Sequence, residues 1–214
     1  MSERWIWTQK ADIGPSPRYG HAMAYEAARQ RVVLFGGEVD PNTWEWDGVA
    51  WTQVADMGPS PRYGCAMTYD TVRKRVVLFG GNDPSRGELT LFNDTWEWGG
   101  TEWNQIADSG PSRRQFPAMT FDDSSRKCPV LFGGHEGRVR PWLGDTWEFK
   151  RGADPGSDRG WVKRQNMGPP ARESHNFAYD SQRDRVVLFG ALTFPAPVAS
   201  LGDTWELAII EQQA

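Results

Sequence analysis

The stretch GPSPRYGHAMAYEAARQRVVLFGG, Gly14 to Gly37, returns almost verbatim as GPSPRYGCAMTYDTVRKRVVLFGG, Gly58 to Gly81. Two looser copies follow, GPSRRQFPAMTFDDSSRKCPVLFGG from Gly110 and GPPARESHNFAYDSQRDRVVLFGA from Gly168. Each copy leads to Thr-Trp-Glu, at Thr43, Thr95, Thr146 and Thr204. A repeat of about 50 residues means that each copy is one supersecondary unit, unable to bury its apolar face alone, and that neighbouring units stack. The copies run from end to end. They predict one domain over 1–214, with units at about 14–54, 58–106, 110–165 and 168–207, the last completed by 5–8. Shared positions then read as frame, and function belongs where the copies differ.

Composition narrows the class of unit. The chain has 12 Trp, 23 Gly and 15 Pro, which suits short strands, tight turns and large rings packed between sheets. No window shows helical periodicity. The net charge of -4 is mild, and Lys and Arg are scattered. This argues against a nucleic-acid groove or an anionic membrane surface. No apolar run approaches the roughly 20 residues of a membrane span. Two cysteines, Cys65 and Cys128, make no disulfide framework. A cytoplasmic location is the expectation.

Within a unit the residues read as four strands. Tyr19 to Tyr25 alternates, with His21, Met23 and Tyr25 on one face. Arg31-Val-Val-Leu-Phe35 is apolar on both faces, as in a strand covered on both sides. Thr43-Trp-Glu-Trp46 follows, then a turn at Asp47-Gly48, then Trp51-Thr-Gln-Val54. The Gly-Pro-Ser-Pro segment stiffens the passage to the next unit.

These residues resemble the Kelch repeat. Gly36-Gly37 precede Trp44 and Trp51, and Gly80-Gly81 precede Trp96 and Trp103. Gly133-Gly134 precede Trp147, whose partner Trp161 is displaced by an insertion after Lys150. In the fourth copy Gly190 is followed by Ala191, and Trp replaces the usual Tyr of the third strand. The resemblance implies an all-β, Kelch-type β-propeller with four four-stranded blades. Trp5-Ile-Trp7-Thr8 reads as a fourth strand, and Thr204-Trp-Glu-Leu207 as a third. The expected closure pairs the N-terminal strand with the C-terminal blade, removing two exposed edges. Two arrangements satisfy that pairing, a closed monomer or a strand-exchanged dimer of eight blades.

Candidate sites lie at one mouth of the ring, beside the loops after strand two. Those loops carry Arg86, Glu88, His135, Glu136, Arg138, Arg140, Trp142 and Phe194. Arg18, Arg62, Arg114 and Arg172 recur in equivalent places. They would either clamp an anion or hold the frame. The next position varies, Tyr19, Tyr63, Gln115 and Glu173, as a ligand-shaped asymmetry would. His21, Cys65 and His175 share another equivalent position, with Pro117 in the third copy. Facing the axis, they would form a three-ligand set for one transition-metal ion such as Zn, Fe or Cu. Packed in the column of Met23, Met67, Met119 and Phe177, they would be structural. Asp94, Asp145 and Asp203 repeat and therefore read as turn caps.

Two functions follow. The first is a non-catalytic binding module, needing no cofactor, that recognises a protein or small-molecule ligand, anionic if the arginines are free. Its site would use Arg18, Arg62, Arg114, Arg172, Tyr19, Tyr63, Glu173, Trp142 and Arg140. The alternative is a small metal-dependent enzyme using His21, Cys65 and His175.

Overall fold

The structure, a computed structural model, describes residues 6–38, 40–83, 85–86, 89–137, 142–150, 160–165, 168–193 and 199–208. Trp5, Glu88, Arg138, Arg140 and Phe194 lie outside them. Blade one holds β1 (His21–Glu26), β2 (Arg31–Gly36), β3 (Thr43–Trp46) and β4 (Trp51–Ala55). Blade two holds β5 (Ala66–Asp70), β6 (Arg75–Phe79), β7 (Thr95–Trp98) and β8 (Trp103–Ala107). Blade three holds β9 (Ala118–Asp122), β10 (Cys128–Phe132), β11 (Thr146–Lys150) and β12 (Gly160–Gln165). Blade four holds β13 (Asn176–Asp180) and β14 (Arg185–Phe189). A two-stranded ribbon, β15 (Leu192–Thr193) with β16 (Ala199–Ser200), follows, and β17 (Thr204–Leu207) returns to blade four. All pairings are antiparallel and run in sequence order within a blade. This is the four-bladed propeller expected from the repeat. Among the described residues no helix is long and apolar enough to cross a membrane.

The second strands are buried because each blade is covered on both faces. Val76, Val77, Leu78 and Phe79 are inaccessible to solvent, as are Val130 and Leu131. Blades stack through their first strands, β1 on β5, β5 on β9 and β9 on β13. β13 has no comparable packing on β1.

One indole locks each of the first two junctions. Trp103 of β8 packs against Phe35 of blade one and donates its Nε1–H to Thr43 Oγ1 at 2.8 Å. Trp161 of β12 repeats this on Phe79 and Thr95, again at 2.8 Å. Gly58 lies under Trp103, where an added Cβ would meet the ring at 2.6 Å. That close approach is why the linker carries glycine there.

The expected pairing of chain start with chain end is not formed among the described residues. Blade four has three described strands. Ile6 to Lys10 has no strand structure, and Trp7 is fully exposed. The cause is geometric: without a blade-four to blade-one junction, the segment that leads into blade one stands away from β17.

Candidate functional site

The repeated arginines build the frame of the mouth. Arg62, Arg114 and Arg172 are wholly buried. Arg114 donates Nε–H to Ser112 O at 3.0 Å and Nη1–H to Gly133 O at 3.0 Å. It also grips Asp145 with two bonds, at 2.7 and 3.1 Å. Arg62 holds Gly80 O and Asp94 in the same way, and Arg172 holds Gly190 O and Asp203. Arg18 does so with Gly36 O and Asp40. Each acid also accepts a tryptophan N–H, as Asp145 does from Trp147 at 2.7 Å. The guanidinium beside Asp145 holds that carboxyl below the usual range against the pull of burial. Arg114 engages all five of its donors and Arg18, Arg62 and Arg172 four each, which leaves little for an anion. The arginine ring is thus a set of intrablade clasps, and the repeated aspartates are their partners rather than turn caps alone. Sequence comparison missed Asp40, because the shorter loop of blade one places it three residues before Thr43 instead of one.

The proposed metal ligands do not converge. Their strand face looks at the preceding blade, not at the axis. Cys65 sits under the Gly36 turn, 3.8 Å from where a Cβ there would lie, and His175 fits under Gly133 and against Phe132. Cys65 and His175 are therefore in different blade junctions, and His21 is on the face of blade one that no blade covers. Burial pushes the Cys65 thiol up to about 11 and the His175 imidazole down to about 4. His21 is lowered in the same direction, by burial and then by Arg18. Among the described residues no group of three His, Cys, Asp or Glu could hold a metal ion.

The variable positions do meet. Tyr63 and Asn82 exchange both backbone bonds at 2.9 Å, and Gln115 and His135 exchange theirs at 3.0 and 3.1 Å. Glu173 and Leu192 make the third pair, at 3.1 and 3.3 Å. Each pair sets two side chains abreast at the mouth. Around it the rings form a chain. Tyr19 lies edge-on to Tyr63, Tyr63 to Phe116, Phe116 stacks on His135, and His135 meets Trp142 at 5.0 Å. Phe116 holds φ at 54°, where blades one and two use Gly20 and Gly64. A bulky residue in that region is strained, as residues at binding sites often are.

At the centre is a polar knot. His135 Nδ1 accepts the Gly137 N–H at 3.0 Å. The ring proton is therefore on Nε2. His135 Nε2 stands 2.9 Å from Glu173 Oε2 and 2.9 Å from the Gln115 amide nitrogen. Gln115 Oε1, Asn82 Oδ1 and Glu173 Oε2 are buried without a hydrogen-bond partner among the described residues. Such groups cost about 1–3 kcal/mol each until something satisfies them. Gln115, Asn82 and His135 were legible only in pairs: each stands where its copies disagree, directly across the Gly-Gly turn.

No model of a known protein family matches the chain, and no curated protein matches it. Among solved structures it is similar to the structure of YjhT, with a TM-score of 0.68 and 15% identity, over 94% of this chain and 68% of that one. The likeness is one of fold. A fungal alcohol oxidase in complex with copper is also similar, with 14% identity and a TM-score of 0.49, over 82% of this chain and 47% of that one.

Proposed function

We propose that the protein is a Kelch-type recognition module that binds a small polar ligand, or a polar side chain of a protein partner, at the mouth. The binding residues are Tyr19, Tyr63, Gln115, His135, Trp142 and Glu173. The observation that carries this reading is the pair of buried, unpartnered polar groups on Asn82 and Gln115 beside the His135–Glu173 contact. A ligand at the mouth would satisfy them. The aromatic chain beside them supplies flat surface for stacking. Because the arginines are engaged by aspartates, the mouth favours neutral or hydrogen-bonding groups over anions. The metal-enzyme alternative draws no support from Cys65 and His175 held in separate junctions and His21 on the open face of blade one.

The test is ligand-observed NMR with three panels, neutral sugars, amines and carboxylates. The expected result is a hit from the first or second panel that weakens in Gln115→Ala, His135→Ala and Trp142→Ala. Binding unchanged in all three variants would overturn the site.

A further inference from the structure

The described residues contain an unfilled place for a tryptophan. At each complete junction, an indole from a fourth strand rests on the phenylalanine and threonine of the preceding blade. It also touches the linker glycine and an apolar residue of its own third strand. For Trp103 these are Phe35, Thr43, Gly58 and Trp98; for Trp161 they are Phe79, Thr95, Gly110 and Phe149. The same four positions for blade four are Phe132, Thr146, Gly168 and Leu207. They line a crevice of about 210 Å³.

The segment that matches the crevice is in the chain and unpaired. Trp7-Thr-Gln-Lys-Ala-Asp-Ile-Gly14 repeats Trp51-Thr-Gln-Val-Ala-Asp-Met-Gly58, differing only at Lys10 and Ile13. Trp7 is thus a fourth-strand tryptophan in register, and its relative exposure is 105%. Its spacing to Gly14 is that of Trp51 to Gly58, so the strand it forms must belong to a blade standing next to blade one.

Blade four presents the matching face. Phe35, Phe79 and Phe132 are at most 2% exposed, whereas Phe189 is 52% exposed. Thr43, Thr95 and Thr146 are buried, whereas Thr204 is exposed. Blade one is bare on its opposite face. Met23 is 48% exposed, while its counterparts Met67 and Met119 are 8% and 7% exposed. The backbone has the same unfinished pattern. Gly64 N donates to Gly20 O, Phe116 N to Gly64 O and Ser174 N to Phe116 O, one bond per junction.

We infer that blade one of a second copy docks on blade four, with Trp7 of that copy in the crevice and its Trp51 on Phe189 and Thr204. The exchange is reciprocal, so two chains related by a twofold axis complete each other's fourth blades. The junction is a fourth instance of one the molecule already makes three times. A single chain does not make it on itself, because its own β1 and β13 are not packed together.

Cross-linking tests this on the full 214-residue chain. Glu45 pairs with Thr52 across β3 and β4, and Glu97 with Asn104 across β7 and β8. The inferred register therefore sets Thr8 opposite Glu206. Oxidation of the double variant Thr8→Cys, Glu206→Cys should give a covalent dimer. The native thiols, buried and pushed up to about 11 and 12, do not compete. Sedimentation of the unmodified chain should show a dimer whose dissociation constant rises roughly a hundredfold or more in Phe189→Asp. Phe189 is exposed in the single chain, so that variant still folds. An intrachain disulfide with monomer mass would overturn the inference in favour of self-closure, and absence of any cross-link would overturn it outright. Neither outcome bears on ligand binding at the mouth.

Discussion

Blades two and four carry the same residues in the same register and bury them oppositely. Val-Val-Leu-Phe and Thr-Trp-Glu occur in both. In blade two Phe79 and Thr95 are sealed, and in blade four Phe189 and Thr204 face solvent. The difference lies in the neighbour. Phe79 and Thr95 have blade three with its Trp161 stacked on them, and no blade among the described residues is stacked on Phe189; Phe132 and Thr146, under blade four, are buried even without an indole. In a repeat architecture, the energy of a position is held at the junction rather than in the blade.

Paired substitutions, measured at protein concentrations low enough to dissociate the inferred dimer, put numbers on that contrast. Phe79→Ala should cost about 3–5 kcal/mol in denaturant melts, and Phe189→Ala well under 1 kcal/mol, because only the first opens a cavity. Equal losses would show that blade four is covered. Arg114→Met should cost about 3–5 kcal/mol, since it strands the buried Asp145. Arg172→Met should cost less, because the side chain of Asp203 is 37% exposed against 12% for Asp145, and water takes over the lost contact. Thr95→Val should cost about 1–3 kcal/mol by orphaning the Trp161 N–H, and Thr204→Val almost nothing. Only a loss at Thr95 in excess of that at Thr204 is consistent with the indole bond.

A pH series sharpens the same comparison at one histidine. His175 is buried in the junction of blades three and four, with its folded value near 4 against an ordinary 6.5. The unfolded chain therefore binds a proton in the interval that the folded chain does not. Stability should fall as pH drops from about 6.5 to about 4, and then level off for this group. His175→Phe should flatten that part of the profile, measured by urea midpoints; an unchanged slope would place the titration elsewhere. A small effect is expected at the mouth as well. Gln115→Leu should leave stability within about 0.5–1 kcal/mol, since it removes a buried amide that is only partly satisfied. A large loss there would make Gln115 part of the frame.

Most of the fold was legible in the sequence. Repeat phase gave the blades, and β3 was predicted residue for residue because Thr-Trp-Glu-Trp is bounded by turns. First strands began two residues late, at His21 rather than Tyr19, because Gly20 takes a left-handed φ of 67° that ends the pairing. The mouth was legible as variation at Tyr19, Tyr63, Gln115 and Glu173. It was not legible that His135 reaches Glu173 of the next blade, because that contact depends on the stagger between sheets. The His21, Cys65 and His175 set shows the opposite error: equivalence in a repeat fixes the strand face, and for Cys65 and His175 that face looks at the preceding blade instead of the axis.

The Arg–Asp clasp has a consequence for how such a chain can arise. Arg62, Gly80 and Asp94 all belong to one blade, as do Arg114, Gly133 and Asp145. A duplicated gene segment would therefore carry both halves of its clasp, and the new unit could fold without compensating changes in the old ones. Only the junction contacts must be met by a neighbour, and a copied neighbour already has them. The near-identity of the first two units is what such a tandem duplication would leave behind.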